Sequence, residues 1–131
     1  MSVARRLVAE FLGTAFLLAL VVGSGIMAER LAGGNTAIAL LANAIATGGG
    51  LVALILAFGP VSGAHFNPVV TLSEAWQRTM PLAEVLPYIG FQLAGAFAGV
   101  MAAHAMFELP LLFASGHVRT GAAQWLSLIH I

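Results

Sequence analysis

Between Thr36 and Phe58 the chain runs for 23 residues without one charged side chain, and no other feature narrows its possible folds so far. About 20 apolar residues, rising 1.5 Å each, cross a hydrocarbon layer roughly 30 Å thick. Two further stretches share its character. Leu7–Ala28 is 22 residues long with Glu10 as its one charge, and Leu86–Phe107 is 22 residues long with none, carrying Gln92 and His104 among its polar members. The sequence therefore predicts three membrane spans, at about 7–28, 36–58 and 86–107. Charged residues make up 8% of the chain and mean hydropathy is +1.00, against roughly a quarter charged in an average soluble domain. A signal peptide competes for the first span because Arg5 and Arg6 precede it. Its apolar stretch exceeds the roughly 7–15 residues of such a segment, and Glu10 near its start also argues against it.

The few charges exclude several functions. Lys, Asp and Cys are absent, which rules out disulfides and thiolate metal sites and leaves no basic run to hold nucleic acid. The four histidines show no metal-ligand spacing, so neither a metal nor another cofactor is expected. No nucleophile, acid and base are assembled, so an enzyme is not expected either. Three spans put Arg5, Arg6 and Arg78 on one side of the bilayer and Arg30 and Arg119 on the other. The pair before the first span weighs most, and the N-terminus is read as cytoplasmic in a multi-pass protein of the cell (plasma or inner) membrane.

The segment between the second and third spans, GPVSGAHFNPVVTLSEAWQRTMP over 59–81, carries the most information. Gly59, Pro60, Ser62 and Gly63 are turn formers and are expected to end the second helix. Asn67 then offers a side-chain oxygen to the open N–H groups of a helix start, and Pro68 suits the first helical position, where its missing N–H costs nothing. A helix is predicted from Pro68 to about Arg78, stopped by Met80-Pro81. At roughly 16 Å it reaches about half-way through the hydrocarbon layer. A re-entrant half-helix fits, because irregular backbone at membrane depth must be buried in protein or line a watery cavity. Its capped N-terminus would bring a positive dipole end to mid-membrane. A short cytoplasmic amphipathic helix is the plainer alternative, but it does not account for Asn-Pro inside a Gly-rich apolar loop between two spans.

Ser62, Gly63, His65, Asn67, Pro68, Val70 and Thr71 in SGAHFNPVVTL stand where the first signature loop of the aquaporin, or major intrinsic protein, family has its defining residues. Glu10 with Thr14 in EFLGT resembles that family's first-helix element, and Tyr88 with Gln92 in YIGFQLAGA resembles the start of its third helix. The chain is thus similar to the first repeat of a bacterial-type member, with residues 1–127 as that repeat and 128–131 as a tail left by truncation. The resemblance implies an all-α membrane protein of three transmembrane helices plus one re-entrant half-helix, half of a six-helix inverted-repeat channel. It implies passive flow of water, glycerol or other small uncharged solutes such as metalloid hydroxides. Partners would be the lipid bilayer, the permeants, the missing second repeat and, for the full-length protein, three further copies in a homo-tetramer.

By the same resemblance Asn67 would donate its amide N–H into the pore and Pro68 would fix the half-helix start. The carbonyls of Gly63, Ala64 and His65 would form an acceptor ladder. Glu10, Thr14 and Gln92 would support the loop; snorkelling of Glu10 to the interface is the alternative. His65 would brace the loop, with pH gating as its alternative because histidine titrates near neutrality. Val69 departs from the usual Ala and should alter packing at the waist. Thr47, twenty residues before Asn67, stands at an outer-filter position, where a small side chain suggests a wide filter. Gly95 and Gly99 recur at helix-packing spacing, as Gly48, Gly49 and Gly50 would in the second span. Two other readings stay open. Half of an inverted-repeat secondary transporter would normally need charges near mid-span, and a membrane-embedded structural protein leaves the Asn-Pro loop unexplained.

Overall fold

The computed structural model describes residues 2–111. These form four helices and, among the described residues, no strand: α1 (Val3–Leu31), α2 (Thr36–Ser62), α3 (Pro68–Trp76) and α4 (Leu82–Met106). Three of them, α1, α2 and α4, are long and apolar enough to cross a membrane. At nine residues, or about 13 Å, α3 is too short to do so. Residues 112–127 and the tail 128–131 lie outside the described residues.

Each long helix outruns or shifts from its predicted span, for one physical reason. Counting uncharged residues locates the hydrocarbon-facing part of a helix, whereas the hydrogen-bonded backbone continues past it into water. So α1 carries on through Arg5, Arg6, Glu29 and Arg30, and α4 begins at Leu82, ahead of Glu84, and ends at Met106 with Phe107 as its cap. The end of α2 corrects the sequence reading more sharply. Gly59 and Pro60 do not stop it. The helix runs through Pro60 to Ser62, and Gly63, at φ 91°, turns the chain in the left-handed region while its N–H reaches back to the Gly59 carbonyl at 3.0 Å. Proline can be tolerated there because it removes one hydrogen bond near a helix end rather than at its middle. Conversely α3 stops at Trp76, two residues short of the predicted Arg78. Gln77 caps it, and Arg78 at φ 59° leaves the helical region.

α1 is the central helix. It packs against α2 and against α4, and α3 packs on α4. The α1–α4 crossing is close because Gly95 and Gly99 face bare backbone: a Cβ on Gly95 would run into the Phe11 carbonyl, and one on Gly99 into the Ala15 carbonyl. Small residues permit this approach, which maximises dispersion contact where lipid supplies no hydrophobic drive. In α2 the glycine triplet does less than its sequence suggests. Gly50 meets Leu20, whereas Gly48 and Gly49 face nothing nearby among the described residues.

The interior is polar and the exterior apolar. The largest side chains with essentially no exposure are Tyr88, Gln92, Glu10 and Thr71, while Leu56, Leu86 and many other large apolar residues lie outward. A water-soluble fold would reverse this. In a bilayer the outward apolar surface meets lipid tails, and the buried polar groups must satisfy one another. Glu10, Ser62, Thr71 and Gln92 do so at one place.

Candidate functional site

That place is the loop from Gly63 to Asn67, held between α1, α2 and α4. Gly63, Ala64 and Phe66 all have positive φ, at 91°, 52° and 50°. Two of the three are not glycine, and such backbone persists only when its surroundings over-determine it. Glu10 of α1 is the reason it persists. Its side chain is 0% exposed. Oε1 accepts from Ser62 Oγ at 2.6 Å and from the His65 N–H at 3.0 Å, and Oε2 accepts from the Phe66 N–H and Gln92 Nε2, each at 2.8 Å. All four partners are donors and none is a cation. A buried carboxylate is tolerated when its lone pairs are filled in this way. Glu10 therefore does not snorkel; it points inward.

The network extends in two directions. Gln92 Nε2 also donates to Thr71 Oγ1 at 2.9 Å, and Thr71 Oγ1 lies 3.1 Å from His65 Nδ1 and 3.3 Å from the Asn67 carbonyl. One hydroxyl proton serves either the carbonyl or the ring nitrogen, so the Thr71 rotor and the His65 tautomer are coupled. On the other side the Tyr88 hydroxyl donates to the Ser62 carbonyl at 3.1 Å, and its ring lies 5.3 Å from the His65 ring. Toward the N-terminus of α1, Arg6 pairs with Glu84 of α4 at 2.7 Å. Phe66 plugs the loop onto the helices. Its ring occupies the space a Cβ on Gly13 would need and stands edge-on to Phe58 of α2 at 6.0 Å.

The geometry has a one-sided consequence. In a trans peptide the carbonyl points opposite to the next residue's N–H, and no peptide bond here is cis. The N–H groups of Ala64, His65 and Phe66 all turn toward Ser62 and Glu10. The carbonyls of Gly63, Ala64 and His65 must then face the other way, and among the described residues none of them accepts a hydrogen bond. Asn67 continues the row. Its Oδ1 caps α3 by accepting from the Val69 N–H at 2.8 Å, which leaves the amide Nδ2 of this exposed residue as a donor with no partner among the described residues. Pro68 occupies the first position of α3, and Val69 beside it is 70% exposed. Three acceptors and one donor thus line one open face.

The remaining candidates divide. Thr47 is half-buried on α2 and takes no part in the network. Thr14 is buried, but its hydroxyl finds no partner among the described residues, so no hydrogen bond ties it to the loop. His104 is buried at the far end of α4, with Nδ1 3.2 Å from the Leu111 carbonyl. The sequence reading took Ser62 as a turn former and Ser62, Thr71 and Tyr88 as carriers of the resemblance, gave none of them a place in the hydrogen-bond network, and missed Phe66 and the Arg6–Glu84 pair. A signal for Phe66 was present in Gly13, which shares a helix face with Glu10 and leaves a ring-sized gap there.

Three long apolar helices, a helix too short to span, and an irregular loop pinned by a buried carboxylate define a polytopic membrane protein with a broken-helix element. The chain belongs to the major intrinsic protein family, whose model matches residues 1–126. Members of this family are channels rather than enzymes. The chain is 54% identical to Aquaglyceroporin AqpS of Rhizobium meliloti (strain 1021) over 94% of its own length and 52% of that protein's. It is 36% identical to Aquaporin NIP6-1 of Arabidopsis thaliana over 82% of its own length and 34% of the other's. With Aquaporin AqpM of Methanothermobacter thermautotrophicus it shares 37% identity over 72% of the chain and 44% of the relative. The chain thus spans about half the length, or less, of these relatives.

Proposed function

We propose that this chain supplies the first of two half-pores of a passive channel for water and small neutral solutes such as glycerol. The observation that carries the reading is the one-sided row formed by the carbonyls of Gly63, Ala64 and His65 and the amide of Asn67. A permeating hydroxyl or water needs both acceptors and donors to replace its hydration shell, and a row of this kind offers them in sequence. The N-terminus of α3 lies at the end of that row, where its dipole favours negative charge and disfavours cations. The name of the relative AqpS supports glycerol among the permeants, and Thr47, small and partly open, suits a filter wide enough for it or for other uncharged hydroxides. A second repeat would close the opposite side of the pore, four copies would assemble in the cell membrane, and the N-terminus would face the cytoplasm.

The test is Asn67→Asp in the full-length channel that carries this sequence, reconstituted in liposomes. The substitution removes the donor and sets a carboxylate in a poorly solvated place, so the expected outcome is loss of neutral-solute flux or a cation leak. Unchanged flux and selectivity at normal membrane abundance would remove Asn67 from the pore.

A further inference from the structure

At the end of the bundle where α1 and α4 begin, α2 ends in Ser62, and the peptide joining Ser62 to Gly63 is held on both sides. The Tyr88 hydroxyl donates to its carbonyl at 3.1 Å, and its N–H, that of Gly63, donates to the Gly59 carbonyl at 3.0 Å. The next carbonyl along the chain is that of Gly63, the first of the open row. A peptide unit is planar and turns as a whole. Whatever holds Tyr88 therefore also holds the plane from which the row departs.

Tyr88 is 1% exposed, and a charge pair stands next to it. Glu84 lies one turn before Tyr88 on the same face of α4, and its Oε1 accepts from Arg6 Nη2 of α1 at 2.7 Å. The Arg6 guanidinium also lies near Tyr88. A cation beside a hydroxyl draws electron density from its oxygen and strengthens it as a donor. Stability alone is a poor reason for the pair. Its side chains are 27% and 15% exposed, and partial desolvation of two charges offsets much of their attraction. Arg6 Nε and Glu84 Oε2 are buried without a partner among the described residues, so the charges meet by one contact rather than by a bidentate fork. That contact still fixes where Arg6 stands, and it stands beside Tyr88.

We propose that the Arg6–Glu84 pair is a positioning device of the channel. Through Tyr88 it holds the Ser62–Gly63 peptide so that the carbonyls from Gly63 onward face the permeant. The inference rests on the channel reading above and adds Arg6, Glu84 and Tyr88 to it as positioning residues, which act through the loop rather than on the permeant.

Tyr88→Phe removes one hydroxyl and keeps the ring. In liposomes carrying the full-length channel, with flux divided by the number of folded channels, it is expected to lower water and glycerol permeability about fivefold, the factor one neutral hydrogen bond makes in an equilibrium. Arg6→Met is expected to lower both in the same direction and to add nothing in the Tyr88→Phe background, because changes along one path are not additive. Arg6→Lys keeps a cation able to make the single contact and is expected to retain the unsubstituted flux. A purely structural pair would lower the thermal midpoint and leave flux per folded channel unchanged. That result, or losses that add in the double variant, overturns the inference and leaves the channel reading standing. Tyr88→Phe decides alone if Arg6→Met fails to accumulate. Absence of flux in the unsubstituted channel sinks both.

Discussion

At the scale of single residues, Glu10 decides the shape of the loop. Its two oxygens hold two backbone N–H groups, one hydroxyl and one amide, and every partner is a donor. Glu10→Gln keeps the volume and half of the acceptors but turns an NH₂ group toward two donors that cannot accept. Each buried donor left unpaired costs about 1–3 kcal/mol, so a loss of roughly 2–6 kcal/mol from the loop is expected. Amide exchange at His65 and Phe66 in detergent or nanodiscs reads this directly. Exchange should accelerate strongly in the variant, and unchanged protection would show that Glu10 is not the anchor. How much of this was legible in the sequence differs by residue. Glu10, Gln92, His65 and Asn67 stand out because charged or polar side chains are rare in such an apolar chain. Thr71 and Ser62 do not, because a hydroxyl in a helix is compatible with many roles and only three-dimensional placement turns Thr71 into the hub between Gln92, His65 and Asn67.

At the scale of elements, the crossing of α1 and α4 is the joint that holds the two walls of the network together. Glu10 reaches Gln92 across it, and Gly95 and Gly99 set its depth. In Gly95→Leu the new side chain meets the Phe11 carbonyl, a backbone group that cannot move aside as a flexible side chain can. Overpacking of this kind costs about 1–3 kcal/mol, occasionally more. Expected outcomes are a lower thermal midpoint in detergent and faster exchange at Phe66, since separating the helices also pulls Gln92 from Glu10. Gly90→Leu is the control, because nothing stands near a Cβ there among the described residues; equal destabilisation by both changes would refute the close-crossing account. The existence of these elements could be read from hydrophobic runs and from the Asn-Pro helix start. Their ends could not. The continuation of α2 through Pro60 depends on Gly63 adopting a left-handed turn and on Tyr88 engaging the Ser62 carbonyl, and neither is a local property of the sequence around Gly59.

At the scale of the molecule, the row of polar groups has one wall. The carbonyls of Gly63 to His65 and the amide of Asn67 face away from α1 and α4, and Val69 at the head of α3 is largely exposed. Non-helical backbone at membrane depth is tolerated where protein buries it or a water-filled cavity adjoins it, so this face calls for a counterpart. A parallel copy docked through the α1–α4 side cannot supply one, because the row would still face outward. An inverted element can, since it would bring a second broken helix against the first from the opposite side. Two copies of this chain would meet in that way only if one were inserted upside down. Three arginines against two across the predicted spans give no positive drive toward such dual insertion. The expectation is therefore that the 131-residue chain, purified and reconstituted alone, raises neither water nor glycerol permeability above that of empty liposomes in stopped-flow measurements. It should also be cleaved readily within residues 63–67, whose backbone lacks its facing partner. Robust flux from the chain alone, abolished by Asn67→Asp, would mean that inverted pairs form and conduct, and would make this sequence a pore-forming unit without any second repeat.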